Sequence, residues 1–253
     1  MDLLHLVFLG VVGVVGGILS GLVGVGGGIV FVPGLVYVAG WQIKEAVAAS
    51  LVIIIFSSLS GTIRNARSED PVDWRVAGLL SLAVAPASLI GVAISRVSSE
   101  TVVEVTFATV LLALAYPTAR SRQQFDESKK IPLPLVFVVG IFIGALSGLV
   151  GVGGGVVMVP LMVLGMGIAT KRAISTSLAV ILFTGLVGAA GYIATGFRGA
   201  QDLLSLPPLI VGSMIGAPLG VQIREFLPER AVRVVFAVFM VVVALRLLSE
   251  ALL

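Results

Sequence analysis

Two runs without a charged residue, 3–43 (with His5 neutral) and 131–170, constrain this chain more than any other feature. Each is about 40 residues long, roughly 60 Å if drawn as one α-helix and about twice the hydrocarbon thickness of a bilayer. Neither run can be one straight crossing. Each contains its own break, Gly24-Val25-Gly26-Gly27-Gly28 and Gly151-Val152-Gly153-Gly154-Gly155. Three consecutive glycines make a poor helix interior. The pattern predicts a full helix, a glycine break, and a shorter apolar segment that dips into the membrane and returns.

Lipid is the solvent that composition demands. Hydrophobic residues make up 58% of the chain and charged residues 11%, against about 25% charged in soluble domains. Further apolar stretches cover 46–63, 76–95, 105–119, 173–197, 203–223 and 231–248. The expected fold is therefore an all-α integral membrane protein with about eight transmembrane helices. With no cysteine and a single histidine, thiolate chemistry, a metal centre and a serine–histidine relay are not expected. No acid–base pair falls inside a span: Glu104 lies one turn after Glu100, at an expected interface. Arg64, Arg96, Arg198 and Arg224 fall near predicted span ends, where long side chains can snorkel. An enzyme, a cofactor and a nucleic-acid partner are thus not expected. The first helix lacks a basic lead and a clear cleavage site and is expected to be retained.

The breaks expose a repeat. Residues 17–33 read GILSGLVGVGGGIVFVP and residues 144–160 read GALSGLVGVGGGVVMVP, with 14 of 17 positions identical at an offset of 127. The same offset pairs Gly13 with Gly140, Lys44 with Lys171, Ser50 with Ser177 and Phe56 with Phe183. Further on it becomes 129, pairing Gly91 with Gly220 and Glu100 with Glu229. Two homologous four-helix repeats, 1–119 and 131–253, are expected on either side of a polar linker at 120–130. Counting Lys and Arg for eight crossings leans to the termini and linker on the cytoplasmic face. If each short segment crosses fully, the repeats become inverted instead.

Small residues at every fourth position, such as Gly13, Gly17 and Gly21, read as helix-packing faces. The glycine breaks differ, because unwound backbone in a membrane must line a cavity or be buried in protein. A helix restarting after the break aims free N–H groups and a positive dipole end at the gap, which favours an anion. A purely structural kink is the competing account. The candidate binding set is Gly24, Gly26, Gly27, Gly28, Gly151, Gly153, Gly154 and Gly155, with Ser20, Ser50, Ser147 and Ser177 as hydroxyl donors. Lys44, Lys171 and Arg172 are expected to draw anions to an entrance.

The doubled S-G-L-V-G-V-G-G-G block followed by V-P resembles the TauE/SafE family, the sulfite-exporter-like membrane transporters. The likeness extends over the whole chain. It implies outward transport of small sulfur-containing anions such as sulfite or organosulfonates, across a bacterial cytoplasmic (inner) membrane, by a multi-pass protein. The expected partners are that anion and the lipid bilayer. A proton as coupling ion, a homo-oligomer, a passive anion channel and another small anion stay open as alternatives.

Overall fold

The computed structural model describes residues 3–120, 132–195, 206–226 and 228–251, and all the structure assigned among them is helical. The elements are α1 (Leu3–Val23), α2 (Gly28–Tyr37), α3 (Ile43–Asn65), α4 (Trp74–Val97) and α5 (Glu100–Arg120). After the linker come α6 (Leu133–Val150), α7 (Gly155–Pro160), α8 (Thr170–Ala194), α9 (Leu206–Phe226) and α10 (Glu229–Ala251). A π-helical turn, Leu161–Gly165, continues α7. It begins directly after Pro160, whose ring removes a helix hydrogen bond.

Six of these helices, α1, α3, α4, α6, α8 and α9, are long and apolar enough to cross a membrane. α3 and α8 are the most buried of them and form the middle of the bundle. The flanking helices carry exposed apolar rows, among them Val7, Phe8, Val11 and Val15 on α1 and Val138, Ile141 and Phe142 on α6. Such surfaces suit hydrocarbon rather than water.

The small-residue ladders are helix–helix contacts. A Cβ on Gly13, Gly17 or Gly21 would strike backbone of α9 at Leu209, Ser213 and Ala217. Gly144 and Gly148 press in the same way on Val84 and Ser88 of α4. Helix α1 therefore packs on α9 and α6 on α4, with backbones close enough for dispersion contact along their length.

These registers fix helix directions. α1 and α9 run the same way, because contacts advance together from Gly13–Leu209 to Gly21–Ala217. α3 joins them, with Gly61 against Ala217 and Asn65 bonded to Arg224. α8 opposes α3, since Gly61 meets Leu178 while Leu51 meets Gly188. α4 and α6 follow α8. α2 folds back along α1: the Phe31 ring covers Gly16, and Val12 covers Gly34. The first run is thus a helical hairpin that enters and leaves at one end. Its α1 arm stops roughly 10 Å short of the end of α9, and α6 stops short of the end of α4 by a similar length.

One expectation is corrected by these directions. The hairpin adds no net crossing, so α3, α4 and α5 carry the chain to the opposite end. The start of α1 and the end of α5 lie at opposite ends of the bundle, not on one face. α6 then runs opposite to α1.

Candidate functional site

The two glycine breaks meet in the middle of the bundle. A Cβ on Gly28 would collide with Gly151 O, and one on Gly155 with Gly24 O. Ile54 of α3 and Ile181 of α8 flank both breaks: a Cβ on Gly26 or on Gly153 would lie 2.8 Å from Ile181 Cγ2. Only glycine backbones can approach this closely. The local fold needs glycine for a second reason. Gly24, Gly26 and Gly27 have φ of 73°, 81° and 80°, and Gly151, Gly153 and Gly154 have 73°, 79° and 76°. Left-handed geometry of this kind disfavours any side chain.

Hydrogen bonds tie each break to the opposite half. Ser50 Oγ donates to Gly151 O at 2.8 Å, and Ser177 Oγ donates to Gly24 O at 2.7 Å. Each hydroxyl also lies within bonding distance of its own helix backbone, Val47 O at 2.7 Å and Ile174 O at 2.8 Å. A serine has one proton, and here it is shared between two carbonyls. Ser50 and Ser177 reach the breaks as struts for backbone carbonyls. Ser20 and Ser147 are different. Both are buried, and neither Oγ has a partner among the described residues.

The break amides supply the other donors. No described residue accepts from the N–H groups of Val25, Gly26, Gly27 and Gly28, or of Val152, Gly153, Gly154 and Gly155. All eight residues are buried. Unpaired buried amides are rare because each costs the full desolvation of a donor. Successive glycine amides with left-handed backbone form a concavity that favours negative charge. With Ser20 and Ser147 beside them, the breaks can hold a small oxyanion through dipoles without a full opposite charge. The described residues contain no group of histidines or acids able to hold a metal ion.

The cations expected at an entrance do not converge. Lys44 Nζ donates to Ser98 O at the end where α1 begins. Lys171 and Arg172 open α8 at the linker end, where Arg172 Nη2 pairs with Asp73 Oδ2 at 3.2 Å. Arg198 lies outside the described residues.

Arg224 lies in the last turn of α9, as expected, but it does not snorkel. Expected to snorkel at a helix end, it is only 7% exposed. Its Nη2 donates to Asn65 Oδ1 at 3.1 Å and to Ser175 Oγ at 3.4 Å. The signal was present in the repeat: the two offsets match Arg224 with Ser95 and Asn65 with Tyr192.

Comparison with known proteins identifies the family. The family model described as "Sulfite exporter TauE/SafE" matches residues 9–247. "Probable membrane transporter protein YunE" of Bacillus subtilis is 27% identical, over 96% of this chain and 97% of that protein. "Probable membrane transporter protein MJ0441" of Methanocaldococcus jannaschii is 26% identical, over 97% and 96%. A "Probable membrane transporter protein" of Haemophilus influenzae is 28% identical, over 93% and 95%. No solved structure matches the chain.

Proposed function

As a chain that belongs to the TauE/SafE family, this is a multi-pass membrane transporter, and we propose that it exports small sulfur-containing oxyanions, sulfite or an organosulfonate, as a secondary transporter. The observation that carries this reading is the meeting of the two glycine tips. Eight buried amides and two buried hydroxyls there lack partners among the described residues. An anion entering a membrane protein must exchange water for other donors. The tips offer such donors and no full positive charge, which favours release as well as capture.

The architecture that fits is two inverted halves, 1–119 and 131–253, each a re-entrant hairpin followed by three crossings. Alternating access then comes from one half rocking against the other around the tips. Orientation follows from charge. By helix direction, among the described residues, Lys44, Arg96 and Arg246 fall at the end where α1 begins. The other nine described Lys and Arg residues fall at the end where α5 finishes, the linker end. The positive-inside rule makes the linker end cytoplasmic and the other end external, in a bacterial inner membrane.

Flux in proteoliposomes tests the substrate. Purified protein should release trapped radiolabelled sulfite or sulfoacetate faster than empty vesicles, with saturation. Equal release from both vesicle populations for every sulfur oxyanion tried would sink the reading.

A further inference from the structure

Ile54, Ser58, Thr62 and Asn65 follow one another along one face of α3 at helical spacing. Ile54 touches the glycine tips. Ser58 and Asn65 are fully buried and Thr62 nearly so. Ser58 Oγ, Thr62 Oγ1 and Asn65 Nδ2 make no hydrogen bond among the described residues. At the far end of this row stands Arg224, bonded to Asn65 Oδ1. A guanidinium can only donate, so Asn65 must give it the amide oxygen. That leaves the amide N–H groups of Asn65, beside a cation, in need of an acceptor.

The matching row on α8 is unlike it. An offset of 127 turns Ile54, Ser58, Thr62 and Asn65 into Ile181, Gly185, Ala189 and Tyr192. Arg224 becomes Ser95, and Ser175 becomes Ala48. Tyr192 Oη donates to Gly148 O at 3.0 Å and also bonds with Ser95. Gly and Ala show that packing in this setting asks for no polar atom. Three buried, unpaired polar groups in one row on α3 are costly unless something else satisfies them.

We propose that Ser58, Thr62 and Asn65, with Arg224 at the mouth, form a wet half-path along which a small oxyanion passes between the linker end and the glycine tips. Arg224 captures the anion, because its planar fork matches two oxygens of a sulfonate, sulfite or similar group. The hydroxyls and the Asn65 amide, with water between them, replace the hydration that the anion sheds. The row on α8, lined by Gly185 and Ala189 and capped by the bonded Tyr192, is closed. Such asymmetry opens the site to one side only. This deepens the transporter reading and rests on it: the open path lies on the side from which an exporter loads.

The absence of native cysteine makes a direct test available. Thr62→Cys and Ser58→Cys each give a single thiol, probed with methanethiosulfonates bearing either a sulfonate or a trimethylammonium group. Both variants should react from the linker end alone, the sulfonate reagent favoured roughly tenfold over the ammonium once each rate is divided by its rate with a free thiol, as the two-charge difference beside a cation in a partly wet site implies. Adding Arg224→Gln should abolish that preference. Ala189→Cys should react with neither reagent. The path is refuted if both α3 thiols are inert in monodisperse protein that still transports. It is equally refuted if the charge preference survives Arg224→Gln, or if Ala189→Cys reacts as fast as Thr62→Cys. Anion-selective labelling without any sulfur-oxyanion flux would leave the path standing and remove the sulfur substrate. Flux with inert thiols would do the reverse.

Discussion

Ser177 donates its hydroxyl to the carbonyl of Gly24 at 2.7 Å, across 153 positions of sequence. Ser50 does the same for Gly151 at 2.8 Å. Each bond joins the core helix of one half to the unwound tip of the other. The two tips are therefore held by a reciprocal pair of struts.

Removing a strut should loosen a tip. Ser50→Ala or Ser177→Ala leaves a buried carbonyl without its donor, at a cost of about 1–3 kcal/mol each. Thermal unfolding in detergent should fall by a similar amount for both variants, because the two bonds are alike. If neither variant melts earlier than the parent, the struts carry no load.

Gly27→Val should impair flux more than it impairs insertion. Gly27 has φ of 80°, and a Cβ there would lie 2.6 Å from the Phe31 ring and 2.8 Å from Gly16 O. Left-handed backbone alone costs a substituted residue roughly 1–2 kcal/mol. Gly154→Val should behave likewise, since its Cβ would sit 2.7 Å from Ile143 Cγ2. Gly40 has φ of 71° but nothing within 4 Å, so Gly40→Ala meets only the backbone penalty and should retain most flux. Comparable flux in all three variants, normalised to membrane content, would contradict the assignment.

The ladders make a separate prediction about assembly. Gly17→Leu places atoms where Ser213 O would be 2.5 Å from the new Cβ, and Gly148→Leu collides with Ser88 backbone. Overpacking of rigid backbone is not relieved by a rotamer change. Both variants should elute as aggregates from a size-exclusion column. Gly78→Ala, with nothing within 4 Å, should elute as the parent does. A monodisperse Gly148→Leu would mean that α4 and α6 are not packed in this register.

Orientation is testable in intact cells. Ser99, in the short α4–α5 connection, and Glu69, in the α3–α4 connection, lie at opposite ends of the bundle and are exposed. Ser99→Cys should react with an impermeant thiol reagent added outside, and Glu69→Cys only after the membrane is opened. The reverse pattern would invert the assigned topology and turn the Arg224 path toward the outside.

The membrane class, the helical fold, the position of each break and the 127-residue correspondence are all legible in the sequence. They depend on local facts: apolar run length, glycine clusters and recurring words. In lipid a helix satisfies its own backbone, so local pattern maps onto helix position with little interference. Helix direction is another matter. The length of residues 28–37 favours a segment that turns back but leaves a full crossing open. The seating of Phe31 against Gly16 decides it, and with it the inversion of α6 relative to α1. The fate of the polar groups was likewise hidden. Ser50 and Ser177 read as free donors until carbonyls 101 and 153 positions away took their protons. Arg224 read as an end residue until Asn65 and Ser175 enclosed it. A sequence states what each side chain is able to donate or accept. Only the packing of distant segments states which partner, if any, is within about 3 Å of it.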